Sequence, residues 1–437
     1  MLFTSQVPAL LQSVLDGARA SATAARKADA AKRLDFFHDG QLPHLVAELE
    51  RKFAQPEKLT PCFVNVVKKI IGQLAQVYQE APGREIEGSE RDKAIFAEIV
   101  GQSDLDAVMK TASRLVKLLK TCMVRPVWRN GRLDLDLLTP DLLDVEVGDS
   151  PRDVLKILVT HYAENGRPEE VTYSLWTPET WKRLDWRGHE IEGGPNPYGV
   201  LPFLPLWDRT PTDSFWLPGG DDIVSIQEAI NLKLTDLLHV IEAQGFGLGW
   251  IKGSEGGGTI DAGPGQMVEL PEGGELGFAA PEAPIEEVVG AIDKLLKWAA
   301  ISNGLSAASL STDPTSESGV SKIVGNRELE EMRRDDVGLF RGYEKRLFGL
   351  IRAVWNHHNP TRKISEAAAL RVDFADPKPE TSEKDQAATW ELLLGMGLIS
   401  PVDAAMERNP DLATREDALA HLLRVRDEVA ALTENQV

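Results

Sequence analysis

Cysteine is almost absent from this chain: two residues, Cys62 and Cys122, in 437. They lie far apart and outside any metal-ligand spacing, which argues for reduced thiols and against a disulfide framework or a zinc site. No run of about 18 apolar residues occurs, so no transmembrane helix is expected. The N-terminal MLFTSQVPALLQSVLDGARA has neither the basic start nor the compact apolar run of a signal peptide. Its Leu10, Leu11, Val14 and Leu15 suggest an amphipathic helix instead. Basic residues are also in deficit, 48 Lys and Arg against 68 Asp and Glu, a net charge of −20. That balance speaks against a protein that grips nucleic acid, since phosphate affinity comes from Lys and Arg.

Catalytic signatures are missing too. There is no G-x-S-x-G, no H-E-x-x-H and no Cys/His pairing with a local signature. The cluster GSEGGGTIDAGPG has no Gly-Lys-Ser/Thr after it and no strand leading into it, so it reads as a tightly turned lobe and not as a phosphate loop. His357 and His358 are adjacent and point to different helix faces, so they do not form a chelating pair; a solvent-facing helix end is expected. His161, His189 and His239 have no Cys or carboxylate at ligand spacing. No cofactor, metal or enzymatic activity is indicated.

What is present is a globular composition, 42% apolar and 27% charged, in a chain long enough for several structural units. Residues 1–82 read as helical, with Leu45, Val46, Leu49 and Phe53, then Val66, Val67, Ile70, Ile71, Leu74 and Tyr78 at helical spacing. Two more helices are expected over 91–120. Residues 121–128 and 133–138 then flank an Arg129-Asn130-Gly131-Arg132 turn, a strong hairpin signal. Strands are expected at 143–147, 154–162, 169–176 and 181–191, followed by a proline-punctuated stretch to Trp216. From 221 the helical period returns: Ile223, Ile226, Ile230, Leu234, Leu237, Leu238 and Ile241 form one stripe, with Asp221 placed as a cap. A Gly-rich stretch fills 247–282. A helix follows over about 283–304, then a polar loop, then a helix over 319–357 that would run roughly 58 Å unbroken. Its Arg333, Arg334, Arg341, Lys345 and Arg346, interleaved with acids, read as a solvated face of i, i+4 pairs or a subunit interface. Trp186, Trp207, Trp216, Trp250, Trp298 and Trp355 read as core or interface residues. Helices over 382–394, from Ser400-Pro401 to Asn409, and from Thr414 to about 431 close the chain. The fold class is α+β and mostly helical.

The order of DDIVSIQEAINLKLTDLLHVIEAQGFGLGWIKG, a Gly-rich lobe, a second amphipathic helix, a polar loop and SESGVSKIVGNRELEEM resembles the portal proteins of tailed bacteriophages, particularly the siphophage type. FVNVVKKIIGQLAQVYQEAP, NPYGVLPFLPLW and ELLLGMGLISPVDAA look like further portal segments, so the resemblance touches most of the chain. It implies a wing from 1–220 and 319–376, stem helices at 221–246 and 283–304, a clip at 247–282, a tunnel loop at 305–318 and a crown at 377–437. It implies a homo-oligomeric ring of about twelve subunits in the virion. The implied partners are double-stranded DNA passing through the channel, the terminase large subunit, major capsid and scaffolding proteins, and a head–tail adaptor, with no membrane. The implied locations are the capsid vertex and, during assembly, the host cytoplasm. ATP hydrolysis would belong to the terminase.

Within that frame, Ser306, Ser309, Ser311, Thr312, Asp313, Thr315 and Glu317 would be tunnel-loop residues, small or acidic and expected to be mobile. Lys294 and Lys297 would face the bore or simply solvent. Trp250, Lys252, Glu255, Glu269 and Glu272 would belong to the clip where terminase and adaptor dock. The acidity then fits a conduit that lets phosphates slide past, because tight contacts would stall translocation. The alternatives are an intracellular α+β transferase, nucleotidyl or acyl, with its ligand at the Gly-rich lobe, or another phage head-completion protein.

Overall fold

Two short sequence signals set the frame of the first half of the molecule. Ser89 and Asp92 form a capping box, each side chain accepting from the other's backbone N–H, and so start α4 (Glu90–Ser103). Asn130 and Gly131 both adopt positive φ, 53° and 76°, the backbone a two-residue hairpin needs to match strand twist. They join β2 (Thr121–Arg129) to β3 (Arg132–Leu138) in register Arg129↔Arg132. The computed structural model describes residues 17–163, 166–246, 248–252, 275–279, 285–310, 327–375, 383–409, 412 and 414–434. The N-terminal helix expected around 10–15 lies outside them.

The chain divides into two units, Met1–Thr315 with Gly325–Ala375, and Ser316–Val324 with Asp376–Val437. The first opens with α1 (Gly17–Phe37), α2 (Leu42–Lys52) and α3 (Val66–Leu74). Then come β1 (Gly83–Glu87), α4 and α5 (Leu105–Leu119). Helix α5 buries Leu105, Met109, Ala112, Leu115, Val116 and Leu119 against β2. Strand β2 also pairs with β9 (Leu204–Trp207), giving the order β3-β2-β9. Its Thr121, Cys122, Met123 and Val124 are all buried because both faces are covered, one by α5 and the other by α8 (Arg327–His358). Tyr343 of α8 locks β9: its hydroxyl accepts from the Trp207 N–H at 3.1 Å and donates to the Trp207 carbonyl at 3.0 Å.

Strands β4 (Leu143–Val147), β5 (Val154–His161), β6 (Thr172–Trp176), β7 (Thr180–Leu184) and β8 (Glu190–Pro195) form an antiparallel meander. Along β5 the period of two is plain: Ile157 and Val159 join the main core, while Leu158 packs with Tyr173 and Leu184 in a small second core. The single strand expected over 181–191 is two strands, because Asp185 and Gly188 close a turn between them.

The structure adds a pair the sequence reading left out: β1 with β12 (Ala369–Asp373), antiparallel. The long helix α8 is described from Arg327 to His358; residues 319–326 of the expected span lie outside the described residues. Its 32 residues give a length of about 48 Å. In the second unit α9 (Glu383–Gly395), α10 (Pro401–Arg408) and α11 (Arg415–Glu434) follow. Ser400 with Asp403 forms the capping box of α10, and Thr414 with Asp417 starts α11.

Candidate functional site

Helix α6 (Asp221–Phe246) is fixed at its base by a ladder of polar side chains set four residues apart. Gln227, Asn231 and Thr235 are all buried. The Gln227 side-chain oxygen accepts from the Val66 and Val67 N–H groups, at 2.7 and 3.2 Å, and so satisfies two open donors at the start of α3. Its amide donates to the Val64 carbonyl and to Asn231 Oδ1, and Asn231 donates to Gln41 Oε1 at 2.7 Å. Thr235 Oγ1 accepts from the Cys62 N–H at 3.0 Å. These partners lie in a segment far away in the chain, so the ladder cannot be read from the sequence of the helix alone. Its one visible trace is polar residues at i, i+4 and i+8 beside the apolar stripe.

Asp221 is the first helical residue, not the cap, and its carboxylate pairs with Arg33. The turn before it needs glycine: Gly220 sits at φ 89°, and a Cβ there would stand 2.8 Å from the Leu118 carbonyl.

Helix α7 (Ile285–Ser302) packs antiparallel on α6, with Ser302 Oγ beside Asp222 at 3.4 Å. Leu296, Ala299 and Ala300 are buried at this base. On other faces of the two helices cover runs out. On α6, Leu238 and Ile241 are 38% and 45% exposed; on α7, Val289, Trp298 and Ile301 are 50%, 62% and 60% exposed. Trp298 is therefore no core residue of the single chain, whereas Trp207 and Trp355 are. At the end of the pair remote from the base, β10 (Leu248–Lys252) and β11 (Glu275–Ala279) run antiparallel, register Leu248↔Ala279 to Lys252↔Glu275.

Lys294 is exposed on α7, and Lys297, half-buried, pairs with Asp293 at 2.5 Å. Trp250 and Lys252 fall on β10, opposite Gly277 and Glu275 in backbone register, while Glu255, Glu269 and Glu272 lie outside the described residues. Ser309 sits in a short 3-10 turn, Ala307–Leu310, and donates through Oγ and N–H to the carbonyl of Ser306 just before it, at 2.6 and 3.0 Å. With Leu305 and Leu310 buried on either side, this first part of the expected mobile loop is tied down. Ser311, Thr312, Asp313, Thr315 and Glu317 lie outside the described residues.

Two features of α8 depart from the sequence reading. His358 is not a solvent-facing end: its ring stacks on Trp128 at 4.9 Å and bonds the Tyr198 hydroxyl at 3.2 Å, and only His357 is exposed. Nor is the mixed charge wholly solvated. Glu344, 1% exposed, accepts from Arg84 Nε and Nη2 at 2.9 and 2.7 Å and from the Tyr78 hydroxyl at 2.6 Å. Burial, and then the Glu344 charge, hold the Tyr78 phenol well above its usual range. Lys117 bridges Asp208 and Asp336 at 2.9 and 2.8 Å. These networks pin α8 to β1 and α5 and consume their own charges, which is the work of a scaffold.

Among the described residues, no group of three or more His, Cys, Asp or Glu stands close enough to hold a metal ion, and no helix is long and apolar enough to cross a membrane. No protein-family model matches the chain, and no curated protein matches it. Among solved structures, the chain is similar to one in the neck of an empty gene transfer agent (GTA) particle computed with C6 symmetry: TM-score 0.44, 14% identity, covering 82% of this chain and 91% of that one. It is also similar to a chain of the virion of a native GTA particle, with TM-score 0.39, 13% identity, and 86% and 97% covered.

Proposed function

We propose that this chain is a portal subunit of a tailed-phage-like particle, a non-enzymatic ring component through which double-stranded DNA passes. The observation that carries the reading is the helix pair α6–α7. It is rooted by a buried polar ladder at one end, carries a strand pair at the other, and leaves large apolar side chains uncovered on both helices, Trp298 and Ile301 near the root and Val289, Leu238 and Ile241 further out. Exposed side chains of this size in a packed chain mark an association surface. A ring of copies, each covering its neighbour's pair, is the closed arrangement that buries all of them. The strand pair would be the clip where terminase and then a head–tail adaptor dock, and capsid and scaffolding proteins would meet the body. The acidic chain would hold the DNA loosely, at the capsid vertex of the virion after assembly in the host cytoplasm.

The test is native mass spectrometry and negative-stain microscopy of the purified protein beside Trp298→Ser/Ile301→Ser. The wild type should form a ring of about twelve copies. Truncating a buried tryptophan anchor costs about 2 kcal/mol or more per interface, so the variant should fall to small species with unchanged circular dichroism. A wild type that stays monomeric or dimeric at every concentration and salt would defeat the reading.

A further inference from the structure

The outer side of α8 is cut by two adjoining clefts that share Gly349 and Arg352. The larger, about 970 Å³, runs between α8 and residues 198–204 and ends against 363–366. The smaller, about 320 Å³, lies against β12 and Glu87. Lys345, Arg346, Arg352, Lys363 and Arg371 edge this trough, against two carboxylates, Glu87 and Glu366. Elsewhere in this unit Arg26, Lys27, Arg84, Lys117 and Lys120 are each paired with a carboxylate, in a chain with twenty more acids than bases (68 − 48). The five along the trough have no ion-pair partner among the described residues. Arg352 is fixed nonetheless: its guanidinium donates to the carbonyls of Ser365, Glu366 and Ala368 at 3.3, 2.8 and 3.1 Å, which holds the group in place without neutralising it.

Between these cations the lining is mixed, with Asn356 and Ser365 beside apolar side chains. Phe203, Phe348 and Leu370 form the buried part, and Leu350 and Val200 stand partly open above it, Val200 at 41% exposure. A basic rim with Val200 and Leu350 open beside it is complementary to an amphipathic segment with carboxylates on one side and aliphatic side chains on the other. A nucleic-acid backbone would gain nothing from these two side chains, and the net charge of −20 opposes its approach. We propose that this trough docks an acidic amphipathic segment of a partner protein. The proposal does not depend on the ring reading, because the trough lies on α8 and not on the α6–α7 pair.

The experiment measures fluorescence anisotropy of short labelled peptides on the full-length protein. One peptide carries Glu and Leu at helical spacing, a second replaces Glu with Gln, a third keeps the composition but scatters the Leu residues, and a DNA duplex is the fourth probe. The first peptide should bind best, with affinity falling as salt rises. Arg346→Ala/Lys363→Ala should weaken it about tenfold or more, and Leu350→Glu should erase its advantage over the scattered peptide. Circular dichroism and sedimentation of both variants should match the wild type. The proposal is overturned by absence of peptide binding, by equal affinity in the Arg346/Lys363 variant, or by equal binding of the Gln peptide. Duplex binding lost in that variant would overturn it in favour of a nucleic-acid surface. A changed assembly state would overturn it in favour of a contact between copies of this chain.

Discussion

Removing the Glu344 carboxylate tests whether buried charge holds α8 in place. In Glu344→Ala the Arg84 guanidinium, 6% exposed, loses two hydrogen bonds and most of its compensation. Removing one partner of a buried pair costs about 3–5 kcal/mol. Asp106 still pairs with Arg84 at 2.5 Å, so the lower part of that range applies. The Tyr78 hydroxyl also loses its acceptor, adding about 1 kcal/mol. The total is about 4 kcal/mol, a urea midpoint lower by about 1 M for a slope near 3 kcal/mol/M or somewhat more. Tryptophan fluorescence follows the right unit, since Trp390 alone lies in the second. Glu344→Gln keeps volume and an acceptor for Tyr78 and should lose about half as much. Arg84→Met/Glu344→Leu, with no orphaned charge, should recover most of the loss. A loss below about 1 kcal/mol for Glu344→Ala, or a double variant no better than the sum of the singles, would refute the reasoning.

Two further outcomes follow from the same structure. Gln227→Ala leaves the Val66 and Val67 N–H groups without acceptors and Asn231 without a donor, at a cost of about 2–4 kcal/mol; hydrogen exchange should quicken over 60–75 and 221–235 while α4 stays protected. Burial, and then His357, lower the pKa of His358. The unfolded chain therefore takes its proton first as pH falls below about 6.5, and this contribution, complete above that value, is lost as pH drops through the folded pKa. His358→Phe keeps a ring on Trp128 and should lose less stability than the wild type between about pH 7.5 and 5, read by urea midpoints; His161, lowered chiefly by burial, leaves some slope in both. An unchanged pH profile would remove His358 from this role.

The sequence was legible where the signal is local. Asn130-Gly131 announces the hairpin, and Ser400-Pro401 starts α10 where expected. The two helices expected over 91–120 are there as α4 and α5. It was silent where a partner lies far along the chain. Strands β1 and β12 bury only Ile86, Leu370 and Val372, too few alternations to read, and each is explained only by the other. Glu344 and Asp336 look like ordinary members of a solvated helix face, because nothing near them names Arg84 or Lys117. Of the candidate site, the helix pair was legible. Its buried ladder was not, since Gln227 and Thr235 answer to residues 62–67.

The most informative disagreement lies along α6. Its apolar stripe runs unbroken in sequence from Ile223 to Ile241, one residue after another at helical spacing. The fold covers that stripe only in part: Ile223 and Ile230 are buried, Ile226 and Leu234 half-buried, Leu238 and Ile241 exposed. A stripe exists because burial rewards it, at roughly 25 cal/mol per Å² removed from water. Where cover stops and the stripe continues, the single chain is not the whole of what the sequence encodes. Helix α7 leaves Val289, Trp298 and Ile301 exposed as well, so both members of one pair carry the excess. A small ligand at the strand pair would leave these positions bare, and a lone scaffold helix would not need them apolar. Copies of the same chain set side by side would cover them in every subunit at once, which is why the reading rests on this pair and not on the charge of the molecule.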